Sequence, residues 1–407
     1  MNDLRDALER AERAAGPAAL RQDSFARLVA YRERRLRNRR MGTGLLALLL
    51  TLVAFGAALH VFNHAGTFRP GKPTPIQPPT GSSGLIVFRR GINGSYTSIY
   101  TMKPDSSGLT QLIPTPKGDN DSNPWLSPDG SQVVFVRYIN GNHITDSSTA
   151  PEHDVLMVIN ADGSGLHELA PGCTGACARQ CRLSKLPCPG DDHPSWSPDG
   201  TRIVFERAYG PNIAHLTVAI WVANADGSDA VQLTRPQPGI SEDHAPSWSP
   251  DGRRIVFNRL DDTAPNGRRG SIYTIGADGN DLRLIYRFSD TWSGIGSDPR
   301  WSPEGSRILF SVFCHWGNGG GCPTTPTTGA HLFTIHPDGT GLEQITHGSL
   351  NEFYPAWSPD GRQIVFSRSF GGPNLSRDMY LMRANGTDIR PITNTGCPCE
   401  AEWGISP

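Results

Sequence analysis

His193-Pro194-Ser195-Trp196-Ser197-Pro198-Asp199-Gly200-Thr201-Arg202-Ile203-Val204-Phe205 decides how this chain folds, because near copies recur along residues 84–407. Ala245-Pro246-Ser247-Trp248-Ser249-Pro250-Asp251-Gly252 precedes Ile255-Val256-Phe257, and Ala356-Trp357-Ser358-Pro359-Asp360-Gly361 precedes Ile364-Val365-Phe366. Comparable triplets stand at Ile86-Val87-Phe88, Val133-Val134-Phe135 and Ile308-Leu309-Phe310. Apolar, β-branched-rich runs bounded by turn residues read as buried strands. In Ser-Pro-Asp-Gly the proline presets φ and the glycine accepts a positive one, so each triplet is entered through a tight hairpin. Glu304 replaces the aspartate in one copy at little cost.

A third strand follows each triplet, as at Ile220-Trp221-Val222 or Ile272-Tyr273-Thr274-Ile275, and ends in a turn such as Asp226-Gly227 or Asp278-Gly279. A fourth strand then ends near Leu112, Leu169, Leu233, Leu284, Ile345 or Ile392. Repeats of this size are supersecondary units that bury their apolar faces only by stacking on neighbours. Four antiparallel strands per repeat make a propeller blade.

The first triplet lacks a preceding Trp-Ser-Pro, and Trp403-Gly404-Ile405-Ser406-Pro407 forms a first strand with no triplet after it. Joined, the two halves complete a sixth blade and leave no open sheet edge. The fold expected is all-β, a six-bladed β-propeller closed by its N- and C-terminal strands and preceded by a transmembrane helix and a short helical cytoplasmic tail. The Trp-Ser-Pro-Asp-Gly…Ile-Val-Phe unit resembles the PD40, or TolB-like (WD40-like), β-propeller repeat, which it matches over residues 84–407. One copy departs, with Leu126 at the tryptophan position and Trp125 one place earlier. The TolB protein carries an α/β domain ahead of its propeller, whereas a membrane anchor is expected here, so the resemblance implies the fold and not the envelope role.

That anchor is residues 43–63. Thr43 to Phe62 contains no Asp, Glu, Lys or Arg, and twenty helical residues at about 1.5 Å rise cover roughly 30 Å of hydrocarbon. Residues 1–40 hold eleven Arg against six acids, six of those Arg lying within Arg32–Arg40. The positive-inside rule therefore places residues 1–42, an Arg-rich amphipathic helical segment, in the cytoplasm. Residues 64–83, with Pro70, Pro73, Pro75, Pro78 and Pro79, form a stiff spacer. The expected protein is single-pass in the cell membrane with its propeller, residues 84–407, outside the cytoplasm.

All eight cysteines (Cys173, Cys177, Cys181, Cys188, Cys314, Cys322, Cys397 and Cys399) follow the span, where thiols oxidise. The gaps among the first four are three, three and six residues, unlike the two-residue pairs of zinc sites, so disulfides are favoured with the pairing left open.

In such propellers the residues ahead of Pro-x-Trp-Ser-Pro enter the innermost strand at the mouth of the central channel. Three places before that proline stand Asp121, Asp191, Asp243, Gly296 and Glu352; Asp192, His193, His244, Asp298, Tyr354 and Glu400 crowd the same rim. Converging acids repel one another and favour a cation. A cationic group is therefore the expected occupant: a divalent ion in the channel, or a basic segment of a partner; no other cofactor is implied. The bland reading is that these residues cap turns in every blade.

Near-neutral charge, 38 basic against 39 acidic residues, argues against nucleic acid. No Gly-x-Ser-x-Gly elbow, His-Glu-x-x-His helix or phosphate-binding Gly-Lys loop is present. The reading is a protein- or ligand-binding scaffold or sensor rather than an enzyme, with partners at the channel mouth or at residues 140–153, 171–190 and 315–330, and a cytoplasmic partner for residues 1–40. The enzymatic alternative is a lyase or glycosidase acting on polysaccharide at the rim through His193, His244 and the acids.

Overall fold

The structure, a computed structural model, describes residues 84–405 except 93–95, 117, 140–152, 170–189, 210–216, 239, 262–268, 289–295, 315–328, 371–375 and 395–399. The tail, the span and the linker expected over residues 1–83 lie outside it, as do most of the inserted stretches and every cysteine but Cys314, of which only the backbone is described. Among the described residues no helix is long and apolar enough to cross a membrane, and residues 43–63 are not among them.

Within the described residues, twenty-four strands form six antiparallel four-stranded sheets. Blade 1 runs through Asn120–Leu126, Gln132–Ile139, His153–Asn160 and His167–Leu169; blade 2 through Gly190–Trp196, Arg202–Tyr209, Thr217–Asn224 and Val231–Gln232. Blade 3 is Ser241–Trp248, Arg254–Asp261, Arg269–Gly276 and Arg283–Arg287; blade 4 is Gly296–Trp301, Ile308–Cys314, Gly329–Ile335 and Glu343–Gln344. Blade 5 is Asn351–Trp357, Gln363–Phe370, Ser376–Arg383 and Arg390–Pro391. Blade 6 is assembled from both ends: Ala401–Gly404 pairs with Leu85–Ile92, Ile86 facing Trp403 and Phe88 facing Ala401, before Tyr96–Met102 and Thr110–Gln111. The propeller is six-bladed and closed, and the first strands of the blades touch one another in a complete ring.

Period 2 explains why the triplets carry no polar residue. Ile203 and Phe205 pack into the core shared with blade 1, beside Val134 and Val136, while Val204 points the other way, into the core shared with blade 3, beside Trp248 and Ile255. Both faces of that strand are therefore interior, and every triplet side chain is at most 1% exposed. The same arrangement repeats around the ring and closes through Val365 against Ile86, Phe88 and Trp403. Each such side chain contributes about 1.5–3 kcal/mol by leaving water.

The turn motif is equally legible. Ser197 Oγ accepts from the Arg202 N–H at 2.9 Å and donates to Asp199 Oδ1 at 2.6 Å, and Gly200, at φ +70°, donates its N–H to Ser197 O at 2.9 Å. In blades 2 and 3 the turn also rests on that of the blade before, Gly200 lying against Pro128 and Gly252 against Pro198, and the positive φ strains any other residue at the glycine position. These turns mark one face of the ring. The opposite face is where the innermost strands begin and where the chain departs for residues 140–152 (from Ile139, paired with His153) and 315–328 (from Cys314, paired with Gly329).

Candidate functional site

Each of the five continuous blades breaks its innermost strand at the same point. Register shifts fall between Ser122 and Trp125, Asp192 and Ser195, His244 and Ser247, Ser297 and Arg300, and Phe353 and Ala356. Two residues there oppose one on the neighbouring strand, which is a β-bulge. The second of the pair is proline, which has no N–H to leave unpaired. The first adopts a left-handed backbone although it is not glycine: Asn123 at φ +49°, His193 at +47°, Ala245 at +51°, Asp298 at +54° and Tyr354 at +52°. Five such residues stand at one level, each ahead of a proline that disfavours the α region. The effect is to re-aim that side chain.

Asn123, His193, Asp298 and Tyr354 line a cavity at the channel axis, joined by Glu400 at the matching place in blade 6; Ala245 is too short to reach it. Two residues further along the innermost strands, Arg300 of blade 4 stacks on Trp125 of blade 1 with its guanidinium 4.4 Å from the ring centre, and its Nε lies 3.6 Å from Glu402 Oε2 of blade 6. These three residues form the cavity's floor on the side of the turns. The cavity measures about 20 Å³, and about 10–15 Å³ holds one water. It fits a water-sized occupant.

His193 is the hub of the charge network. Its Nδ1 lies 3.4 Å from Glu206 Oε2 and 3.5 Å from Asp192 Oδ1, and its Nε2 lies 3.8 Å from Asp298 Oδ1 across the channel. Glu206 reaches over the inter-blade gap, accepts the Ala245 N–H at 2.7 Å and lies 3.3 Å from His244 Nδ1, whose Nε2 is 3.3 Å from Glu242 Oε2. Asp192 accepts from Tyr138 Oη at 2.8 Å and from Asn123 Nδ2 at 2.5 Å. Glu400 pairs with Arg89 at 3.0 Å and accepts from Ser122 Oγ at 2.7 Å and the Asn123 N–H at 3.2 Å.

Burial works to strip the proton from His193, but Glu206, Asp192 and Asp298 overcome it and hold the imidazole pKa well above its ordinary value. His244 follows the same balance, burial being outweighed by Glu206 and Glu242, and rises to about 9. Burial would raise Glu206, and the two imidazoles instead hold it low. Burial dominates at Glu402, which Arg300 only partly offsets, so that carboxyl rises to about 7.

Of the residues singled out from sequence, His193, Asp298 and Tyr354 line the cavity, and Asp192 and His244 stand just behind it. Asp121, Asp191, Asp243 and Glu352 do not enter it. Each is tied to an arginine directly opposite on the next strand of its own blade: Asp121 to Arg137, Asp191 to Arg207, Asp243 to Arg259 and Glu352 to Arg368, at 2.6–3.2 Å. Those guanidiniums lie over aromatic rings, Arg207 between Phe205 and Trp221 for example. The acids expected to converge as a repelling rim are thus neutralised one by one. The bulge is the physical reason, since it breaks the alternation that otherwise sets residues 121 and 123 on the same face. In blade 4 the pair is Gly296 opposite Val312, and neighbouring His331 reaches Glu352 of blade 5 at 3.0 Å.

Glu206, Arg89, Arg300 and Glu402 escaped the sequence reading. A signal existed for the first two. The residue after each triplet is Arg89, Val136, Glu206, Asn258, Ser311 or Ser367, and charge there, one step beyond a wholly buried run, marks a strand leaving the core at the axis. One oxygen each of Asp192 and Glu206 and one nitrogen of His193 lie within 4.8 Å of one another, a set able to hold a metal ion.

No protein-family profile matches the chain. Among solved structures it is similar to TolB from Acinetobacter baumannii (TM-score 0.56, 14% identity, covering 81% of this chain and 69% of that one). It also resembles a TolB-type protein from Agrobacterium tumefaciens (TM-score 0.50, 18% identity, 77% and 90%). By sequence it is 25% identical over 217 residues to YuxL, an uncharacterized peptidase of Bacillus subtilis (strain 168), covering 46% of this chain. That match spans 31% of YuxL, under a third of its length. The fold is that of the TolB-like propellers.

Proposed function

We propose that this protein is a membrane-anchored, extracytoplasmic binding module whose channel mouth receives a single cationic group, a lysine ammonium or a small cation, presented by a protein or peptide partner. The observation that supports this most is the convergence of side chains from five blades on one water-sized cavity. Around it the carboxylates of Asp192, Glu206, Glu242, Asp298, Glu400 and Glu402 outnumber Arg89, Arg300 and the two imidazoles. A site of about 20 Å³ accepts an ammonium tip but not a sugar ring or a folded segment. The uncharged apolar run over residues 43–63 and the basic residues before it support an orientation with this mouth outside the cytoplasm.

The shared carboxylate between His193 and His244 favours one further reading, acid–base chemistry at the rim. The imidazoles, held above their ordinary pKa, would be the acids and the lining carboxylates Asp298 and Glu400 the bases, but a water-sized cavity admits no sugar ring, and binding remains the better account. Biolayer interferometry of the detergent-purified full chain against an oligolysine peptide tests it. Binding is expected, weakened by Asp298→Asn and Glu400→Gln; equal affinity in wild type and both variants overturns the reading.

A further inference from the structure

The distances around His193 Nδ1 are the wrong length for one kind of interaction and the right length for another. Asp192 Oδ1 at 3.5 Å and Glu206 Oε2 at 3.4 Å both lie outside the 2.7–3.2 Å range of N–H···O hydrogen bonds, and this buried nitrogen makes none of good geometry. Two ligands of one ion with bonds of about 2.1 Å stand about 3.0–3.4 Å apart at octahedral or tetrahedral angles. All three donor atoms fall within 4.8 Å of one another.

The carboxylates are also held as ligands are held. Tyr138 Oη fixes Asp192 Oδ2 at 2.8 Å, Asn123 Nδ2 fixes Oδ1, and the Ala245 N–H fixes Glu206 at 2.7 Å. Outer partners of this kind orient metal ligands and tune affinity. One imidazole with two carboxylates and no thiolate suits a borderline-to-hard divalent ion such as Mn²⁺ or Zn²⁺.

We infer that Asp192, His193 and Glu206 are the protein ligands of a single divalent transition-metal ion in the channel wall. This deepens the cation-binding reading above and rests on it. The ion bridges the first and second strands of blade 2 and, through Glu206, abuts the bulge of blade 3; it takes His193 Nδ1 in its neutral form, so the imidazole proton leaves to solvent as the ion binds.

The test is a titration of the chelator-treated full chain with Mn²⁺, followed by calorimetry and electron paramagnetic resonance. Mn²⁺ is the probe because thiolates compete poorly for it. One ion per chain is expected, with ¹⁴N coupling from an imidazole that disappears in His193→Gln. Tyr138→Phe, which frees Asp192 without removing a ligand, is expected to weaken binding about 10–100-fold; circular dichroism reports whether each variant folds. Bound Mn²⁺ without ¹⁴N coupling, or unchanged affinity in Tyr138→Phe, overturns the assignment. Oligolysine binding without Mn²⁺ binding defeats the metal site alone, and binding of neither defeats the cation reading as well.

Discussion

Arg300 and Trp125 belong to blades on opposite sides of the ring, yet the guanidinium sits 4.4 Å from the indole centre. The contact spans the channel and closes it below the cavity, so the mouth on the side where the innermost strands begin is the approach. Glu402 completes the plug at 3.6 Å from Arg300. Because burial lifts its pKa to about 7 from an ordinary 4.5, the folded protein holds this proton more tightly than the unfolded chain. Stability from this group is therefore full below about pH 4.5 and is lost as pH rises through about 7. Glu402→Gln, a mimic of the protonated form, should gain stability relative to wild type between pH 5 and pH 8. Denaturant midpoints at the two pH values check this, and a constant difference contradicts it.

His244 offers a second, independent titration. With its folded pKa raised to about 9 from 6.5, its contribution is complete below about pH 6.5 and disappears as pH rises through about 9. Nitrogen-15 spectra of the histidine rings should show a His244 midpoint well above the ordinary 6.5. Glu206→Gln should bring the His244 midpoint down; a wild-type midpoint at or below 6.5 contradicts the network.

The arginine–carboxylate pairs are expected to behave as coupled units. Arg259→Val leaves Asp243, fully buried, without its bidentate partner, a loss of about 3–5 kcal/mol. The double change Asp243→Gly with Arg259→Val copies the Gly296–Val312 arrangement of blade 4. It should cost less than the sum of the single changes. A double-mutant cycle in urea measures the coupling, and simple additivity contradicts it.

Topology is open to a direct assay. Alkaline phosphatase fused after Pro407 should be active, since its disulfides form outside the cytoplasm, and fused after Arg40 it should be inactive. The reverse pattern contradicts the proposed orientation.

The ring was legible because its causes are local. Ser-Pro-Asp-Gly makes its own hydrogen bonds, and Ile203-Val204-Phe205 lacks a polar face because two cores enclose it. Even the split blade could be read, since Trp403 and Ile86 each lack the half that the other supplies. The site was legible only in part. Strand alternation alone sends Asp191 and His193 to one face, and the left-handed bulge that separates them is visible only in the backbone. Arginine partners sixteen residues downstream, such as Arg207 for Asp191, emerge only from the register. Contacts across the axis, such as Arg300 on Trp125, need the closed ring itself.

The most direct test of the central claim follows the histidine rings of the ¹⁵N-histidine-labelled full chain during titration with oligolysine. The His193 and His244 ring nitrogens should shift with saturating dependence on peptide, while those of His167 and His336, both exposed, stay still. Shifts confined to the latter pair, with His193 unmoved at saturation, would contradict the claim.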